Sequence, residues 1–560
     1  MTFMDWVLVI SINLAIVIYG IRLGRGTKTT KEWFLAARGL PWWIVGLSAF
    51  ATAADAGDYV ALAGGSYSFG MSNITAWWLG LPIGWFLVSY FIYVPMYRAR
   101  MFTNAEWLEH RFGPSVRLLS VFIQIQYRTN VLGNIAWSLF LTLRIVGGLD
   151  NTLSWGIVVM IATLAAWYSA QGGLKSVAIT DVLQYITMAV SSLVLWLLVW
   201  QVVGGWSGLE TQLDVEDRGW MLHVGGYQEP GVPIPLVILG WIIVHVSYNA
   251  VNHSQAMRFL GARSEWDMKM GALVAGGVTV VVMWLNITLG IMGRALFPDL
   301  EVVDQVFPLL VSHFLAPGLM GLVLAGILGA GMSTYDSISN AISAIFTRDF
   351  YARFIKKDGS DEHYLRVSRM TVPVVIGLGF LYIPFLKAGA IQFYLSATSV
   401  FVLPLAVLYL MGALTTVHRS SGVVGLVAGA TFGFFAFLAR GFHWPLPIWI
   451  SNIWWGYLWN LLVPAVSMLV YSWYINFSRG PVSEKELSGL TYHTRHLPFR
   501  EHSQGIDSKT NWLERSRMDL GKGLVLPFLA SKRLSWYQRD RLLVWIFLIV
   551  LVFFNLVVFW

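Results

Sequence analysis

Cysteine is absent from the 560 residues, which excludes disulfides, thiolate metal sites and cysteine nucleophiles. Charge is scarce: Asp, Glu, Lys and Arg make up 12% of the chain against 56% hydrophobic residues. No phosphate-binding loop ending in Gly-Lys-Ser or Gly-Lys-Thr occurs, which argues against a pump driven by its own ATP site. Nothing in the residue pattern resembles hydrolytic or group-transfer chemistry. The first apolar run, residues 4 to 22, has no basic residue before it and no small-residue cleavage site after it, so it reads as a retained helix rather than a signal peptide.

What remains is a polytopic membrane chain. Roughly fourteen apolar runs reach membrane-spanning length, the first at 4–22, the second at 40–67, the third at 73–97, the fourth at 118–148 and the last at 542–560. Their hydrophobicity is continuous rather than alternating, which predicts an all-α bundle and not a barrel. The runs at 154–172 and 177–203 read as separate spans. The 28 Trp suit interfacial belts and packing. The one sizeable polar segment, 476–541, carries both charges with Gly, Pro and Ser breaks. Within it Leu524 to Leu534 reads as ordered loop or as a short amphipathic piece on the membrane surface.

Lys and Arg set the orientation. Arg22, Arg25, Lys28 and Lys31 follow the first span; Arg98, Arg100, Arg111 and Arg117 lie between the third and fourth; Arg258, Arg263 and Lys269 follow the seventh; Arg348, Arg353, Lys356 and Lys357 follow the ninth. If every span crosses, these share one face, while Asp150, Glu210, Asp214, Glu216, Asp217, Asp299, Glu301 and Asp304 share the other. The positive-inside rule then places both termini outside a cell (inner or plasma) membrane. The net charge of +8 belongs to the cytoplasmic loops, so the lipid bilayer accounts for it and nucleic acid need not be invoked.

Polar residues inside oil carry the functional signal. The run from Leu319 to Phe350 holds Ser333, Thr334, Asp336, Ser337 and Asn340 at its middle. A carboxylate there costs about 3 kcal/mol by insertion scales, so Asp336 should face protein, water or an ion. Ala330, Ser333, Thr334 and Ser337 stand at i, i+3, i+4 and i+7, one stripe of small oxygen ligands suited to a hard monovalent cation. Two other spans look interrupted. The second reads GLSAFATAADAGDYVALAGG, with Asp55 and Asp58; the seventh reads GWIIVHVSYNAVNHSQAM, with His245, Asn249, Asn252 and His253. They lie five spans apart, the pattern of inverted five-helix repeats around a midplane site. Unwinding near Ala51 and Ala54 would offer two carbonyls to a cation also held by the Ser333 and Thr334 hydroxyls. The competing reading is that those hydroxyls bond back to their own helix.

Other candidates keep two readings each. Asp181, after the turn GGLKSVAIT, is either a helix-entry or loop-pairing carboxylate or part of a second cation site. Asp336 either binds a second cation or pairs with a buried arginine, for which Arg128 is the obvious candidate. Asp58 with Trp77 and Trp78 suits an ammonium group; alternatively Asp58 pairs with Arg128 or His245. His245 and His253 are too few for a metal site and read as hydrogen-bonding histidines.

At these residues the chain resembles the sodium/solute symporter family, whose members include sodium/glucose, proline, sialic acid and pantothenate transporters. FLAARGLPWWIVGLSAFATAADAGDYVALAGGSYSFG resembles the first core helix, GGLKSVAITDVLQ the turn after the fourth, NHSQAMRFLGARSE the end of the sixth and MSTYDSISNAISAIFTRDFY the eighth. GLTYHT, Gly489 to Thr494, resembles a motif of the sodium/glucose branch. The resemblance implies an inverted five-plus-five helix fold of the LeuT type, with broken first and sixth core helices. It divides the chain into a peripheral helix and linker (1–39), a first repeat (40–205), a second repeat with its entry loop (206–415), peripheral helices (416–475), a cytoplasmic loop (476–541) and a terminal helix (542–560).

The resemblance further implies a sodium site of Ala51, Ala54, Ala330, Ser333 and Thr334. Asp181, Asp336 and Ser337 match a second sodium site of some relatives, where Asp336 replaces a hydroxyl, and Asp55 matches an acidic coupling residue of the proline branch. Asn252 and Gln392 align with polar pocket residues of galactose symporters. Ala53, Asp58, Ala76, Trp77 and Gly80 stand where those have other, polar side chains. Unpaired sugar hydroxyls are costly. The expectation is therefore sodium-coupled import, without enzymatic activity or cofactor, of an amine, amino acid or other small nitrogenous solute near Asp58, Trp77, Asn252 and Gln392. A sugar is the alternative, and a proton-coupled carrier or a non-transporting sensor are the rivals.

Overall fold

The computed structural model describes residues 1–25, 29–54, 56–227, 229–388, 390–499 and 539–560, and leaves the side chains of 56, 387, 388 and 390–399 undescribed. Among the described residues the chain is helical, with only two isolated bridges between extended residues. A bilayer leaves no other solution for these apolar runs, because each backbone amide and carbonyl must be satisfied within its own segment. Ten described helices are long and apolar enough to cross a membrane.

Helix α1 (Phe3–Gly24) precedes the first core unit. That unit is α2 (Trp42–Ala53) and α3 (Ala56–Phe69), separated at Ala54, whose ψ of 90° leaves the helical region. The rod α4 (Ala76–Arg98) follows, then the short α5 (Asn104–Phe112) and α6 (Pro114–Ile145). The runs at 154–172 and 177–203 stand as two separate helical arms, designated together α7 (Asn151–Val203), that break at Gly173. Gly173 with φ +66° supplies the bend between its arms, a conformation open to glycine because it has no Cβ.

The second set of five begins with α8 (Ile234–Val251) and α9 (His253–Leu260), broken at Asn252. Asparagine fits this position: its Oδ1 accepts from the Ser254 amide at 3.0 Å and caps α9. α10 (Glu265–Leu296), α11 (Leu319–Ile345), α12 (Asp361–Gly379) and α13 (Ala390–Leu414) complete it. α14 (Ser421–Gly441), α15 (Ile453–Arg479) and α16 (Asp540–Phe553) lie outside the two sets. Both broken helices therefore fall where the small-residue and polar patterns place them, five helices apart.

The ends of the two broken units are tied together. The Leu40 amide donates to the Gly261 carbonyl at 3.1 Å and the Arg263 amide to the Leu40 carbonyl at 3.0 Å. α11 packs chiefly on α7 and also meets α2, α3, α6 and α9, which places its polar stripe among the interrupted helices. The motif Gly489–Thr494 is structural. The Tyr492 amide donates to the Ala413 carbonyl at 2.8 Å and Trp107 Nε1 to the Leu490 carbonyl at 3.0 Å, docking the segment on α13 and α5. Leu524 to Leu534 lies outside the described residues.

Candidate ion and solute site

The end of α2 frees carbonyl groups at mid-membrane. Among the described residues its last backbone bond runs from the Ala54 amide to the Phe50 carbonyl at 2.8 Å, so the carbonyls of residues 51 to 54 lie at the helix end. The Tyr248 hydroxyl takes the Thr52 carbonyl at 3.2 Å, and Gln255 Nε2 takes that of Ala49 one turn earlier at 2.9 Å. Across from this end, α11 buries Ala330, Ser333 and Thr334 completely or nearly so. Ser333 Oγ and Thr334 Oγ1 both donate to the Ala330 carbonyl, at 3.0 and 3.2 Å. Back-bonding thus occurs, and it orients rather than consumes the hydroxyl oxygens, whose lone pairs stay available to a cation. Asp55, the neighbouring carboxylate of the sequence reading, lies outside the described residues.

One turn further along α11 the geometry departs from expectation. Arg258 on α9, counted from sequence among the loop cations, is 1% exposed and sits inside the protein. Its Nη2 donates to Asp181 Oδ2 at 2.7 Å and to Ser337 Oγ at 2.6 Å. Nε donates to Ser48 Oγ at 2.7 Å and Nη1 to the Ser254 carbonyl at 2.7 Å. Ser48 Oγ in turn donates to Asp181 Oδ2 at 2.6 Å. The guanidinium therefore joins α9 to α2, α7 and α11 and lies among the groups read as a second cation site. Asp336 borders it: Ser337 Oγ donates to Asp336 Oδ1 at 3.1 Å and the Tyr168 hydroxyl to Oδ2.

Two sequence readings change here. Asp181 is not a loop or helix-entry carboxylate but the buried partner of Arg258. Arg128 is not the arginine of this cluster. It packs over the rings of Tyr127 and Tyr248, 5.5 and 5.6 Å from their centroids. Sequence separation hid the pairing, since Asp181 and Arg258 stand 77 positions apart and Tyr168 and Asp336 stand 168 apart. The available signal was a cation only six residues past the break at Asn252, on a helix too short to leave the core.

The solute candidates are distributed around the second break. Asn252 is fully buried, and its Nδ2 has no hydrogen-bond partner among the described residues. Asn249 Oδ1, both ring nitrogens of His253 and Ser254 Oγ share that condition. Trp77 lies on the outer part of α4 with its ring centroid 5.3 Å from that of His245, whose Nδ1 is 3.1 Å from the Trp241 carbonyl. Trp78 turns the other way, packing on Trp284 and Phe559 and donating to the Val280 carbonyl at 3.1 Å. Asp58 is half-buried in the first turn of α3. The side chain of Gln392 lies outside the described residues.

Comparison with known proteins follows the same architecture. The model of the sodium:solute symporter family matches residues 33–429. The chain is 27% identical over 538 residues to the Homo sapiens protein named sodium/glucose cotransporter 4, covering 86% of this chain and 76% of that one. It is 28% identical to the Oryctolagus cuniculus protein named sodium/myo-inositol cotransporter 2, covering 85% and 76%. Among solved structures, a Na+-coupled sialic acid symporter superposes with a TM-score of 0.71 at 20% identity over 84% of this chain and 98% of that one. Mhp1, a nucleobase-cation-symport-1 family transporter, gives 0.52 at 16% identity over 82% and 97%.

Proposed function

Because the chain belongs to the sodium:solute symporter family, it is a multi-pass membrane transporter coupling a small solute to sodium, and we propose that its solute is a neutral sugar or cyclitol imported with one sodium ion. The observation that carries the solute class is the set of unpartnered neutral groups at the break of the sixth core helix: Asn249 Oδ1, Asn252 Nδ2, the His253 nitrogens and Ser254 Oγ. A buried donor or acceptor left unmade costs about 1–3 kcal/mol. A polyol supplies both donors and acceptors to such a set, whereas an ammonium group supplies donors alone. The names of the two relatives support the same class over the nitrogenous solute expected from sequence. That second reading pairs Asp58 with Trp77, and it is weakened by the His245 ring placed against Trp77.

In this reading sodium is held by the Ala51, Ala54 and Ala330 carbonyls with the Ser333 and Thr334 hydroxyls, and needs no further cofactor. Arg258 supplies the positive charge at the second cation position, so Asp181, Asp336 and Ser337 bind no second sodium. Each sodium moving inward releases about 2.3 kcal/mol per 100 mV, besides its concentration gradient. Rocking of one helix bundle against the other exposes the site to each side in turn, with both termini outside.

Uptake into proteoliposomes tests this. An inward sodium gradient should drive accumulation of radiolabelled glucose, galactose or myo-inositol with a Hill coefficient of about one for sodium. Accumulation driven by a pH gradient without sodium would establish the proton-coupled rival. Competition by choline or proline but by no sugar or cyclitol would establish the nitrogenous solute, and binding without accumulation a sensor.

A further inference from the structure

A cavity of about 660 Å³ opens on the flank of the protein, away from the ion and solute site, lined by Arg25 beyond α1, by Trp167 and Gln171 on the first arm of α7, and by Arg369 and Pro373 on α12. All three elements reach it at the same membrane face. α1 ends there at Gly24, α7 bends there at Gly173 and α12 starts there at Asp361. The Lys and Arg distribution makes this the basic face.

The two arginines differ from several others on that face. Arg98, Arg117, Arg263, Arg353 and Arg366 are each paired with a carboxylate. Arg25 and Arg369 have no carboxylate partner among the described residues, are exposed, and face one cavity. Two planar, permanently charged donors at one opening suit a phosphate ester.

Apolar tracks lead away from them. On α7, Met160, Leu164 and Trp167 recur at i, i+4 and i+7 and are 54, 44 and 54% exposed. On α12, Met370, Val374 and Leu378 form a matching stripe of exposed side chains. Both stripes run from the arginine end toward the opposite face, since α7 approaches the bend as its numbering rises and α12 departs from that face. A free anion would use the arginines and ignore the stripes. A ligand with an anionic head and hydrocarbon tails uses both, with the head at the level of the basic face.

We propose that this cavity is a binding site for an anionic phospholipid, its phosphate held by Arg25 and Arg369 and its acyl chains lying along the stripes of α7 and α12. The test uses the full chain purified in mild detergent, with lipid retention followed by native mass spectrometry and thermal midpoints measured alongside. Phosphatidylglycerol should be retained and should raise the midpoint; phosphatidylcholine should do neither. Arg25→Gln with Arg369→Gln should weaken phosphatidylglycerol retention roughly thirtyfold, and each change alone about fivefold, as expected for basic contacts at an anionic headgroup. Equal retention of the two lipids, or retention unaltered in all three variants, would overturn the site. A midpoint shift from inorganic phosphate equal to that from phosphatidylglycerol would overturn the lipid in favour of a free anion. Unchanged retention in Trp167→Ala would overturn the acyl track.

Discussion

Replacing Arg258 with Gln should do more damage than its remoteness from the solute groups suggests. The guanidinium makes contacts of 2.7 Å to Asp181 Oδ2, 2.6 Å to Ser337 Oγ, 2.7 Å to Ser48 Oγ and 2.7 Å to the Ser254 carbonyl. Arg258 and Asp181 are 1% and 0% exposed in their side chains, so neither charge can turn to water when its partner goes. Removing one member of such a pair costs about 3–5 kcal/mol, chiefly from the charge left stranded. Asp181→Asn should cost a similar amount for the mirror-image reason. The double variant keeps the local charge balance and should therefore be less destabilised than the sum of the singles by about 2 kcal/mol or more. Unfolding of the purified wild type, both singles and the double measures this coupling. Additivity within about 0.5 kcal/mol would refute the pairing as an energetic unit. Transport gives a second readout: with Arg258→Gln, sodium activation should steepen toward about two ions, because the carboxylates then lack their resident cation. Unaltered steepness would refute the role of Arg258 as occupant of the second cation position.

Two further outcomes follow from the geometry. Ser333→Ala combined with Thr334→Ala should raise the sodium concentration for half-maximal uptake with the solute maximum reached at high sodium; an unshifted sodium curve would remove these hydroxyls from the ion site. At the basic face, burial pushes the Glu109 carboxyl up, but the guanidinium groups of Arg353 and Arg117 outweigh it and hold the group below its ordinary value of 4.5. A lowered value means a stabilisation present at neutral pH and lost as pH falls below about 4.5 through the folded-state value. Glu109→Gln should accordingly flatten the acid limb of a stability-versus-pH curve, and an identical acid limb would show that the ion network among Glu109, Arg117 and Arg353 contributes nothing.

The legible parts were those written in local pattern. Small residues around Ala51 to Asp58, and amides and imidazoles around Asn252, marked both helix breaks because interruptions in oil need polar or compact side chains near them. The stripe of Ala330, Ser333 and Thr334 was visible from helical spacing alone. The illegible parts depended on distance or on handedness. Trp77 and Trp78 were equivalent as letters. The twist of α4 sends one to His245 and the other to a packed aromatic cluster.

By itself, the sequence determined the solvent and the repertoire: apolar runs too long for anything but a bilayer, two interrupted helices five apart, oxygen ligands on a buried stripe and a basic face. Those properties follow from residue type and periodicity, which act over a few turns of one helix. Tertiary structure decided which charges meet. Arg258 neutralises Asp181 only because α9 returns against α7 and α11, and Tyr168 reaches Asp336 only across that same interface. Electrostatic pairing in a low-dielectric interior is set by ångström-scale separation, which chain order does not record.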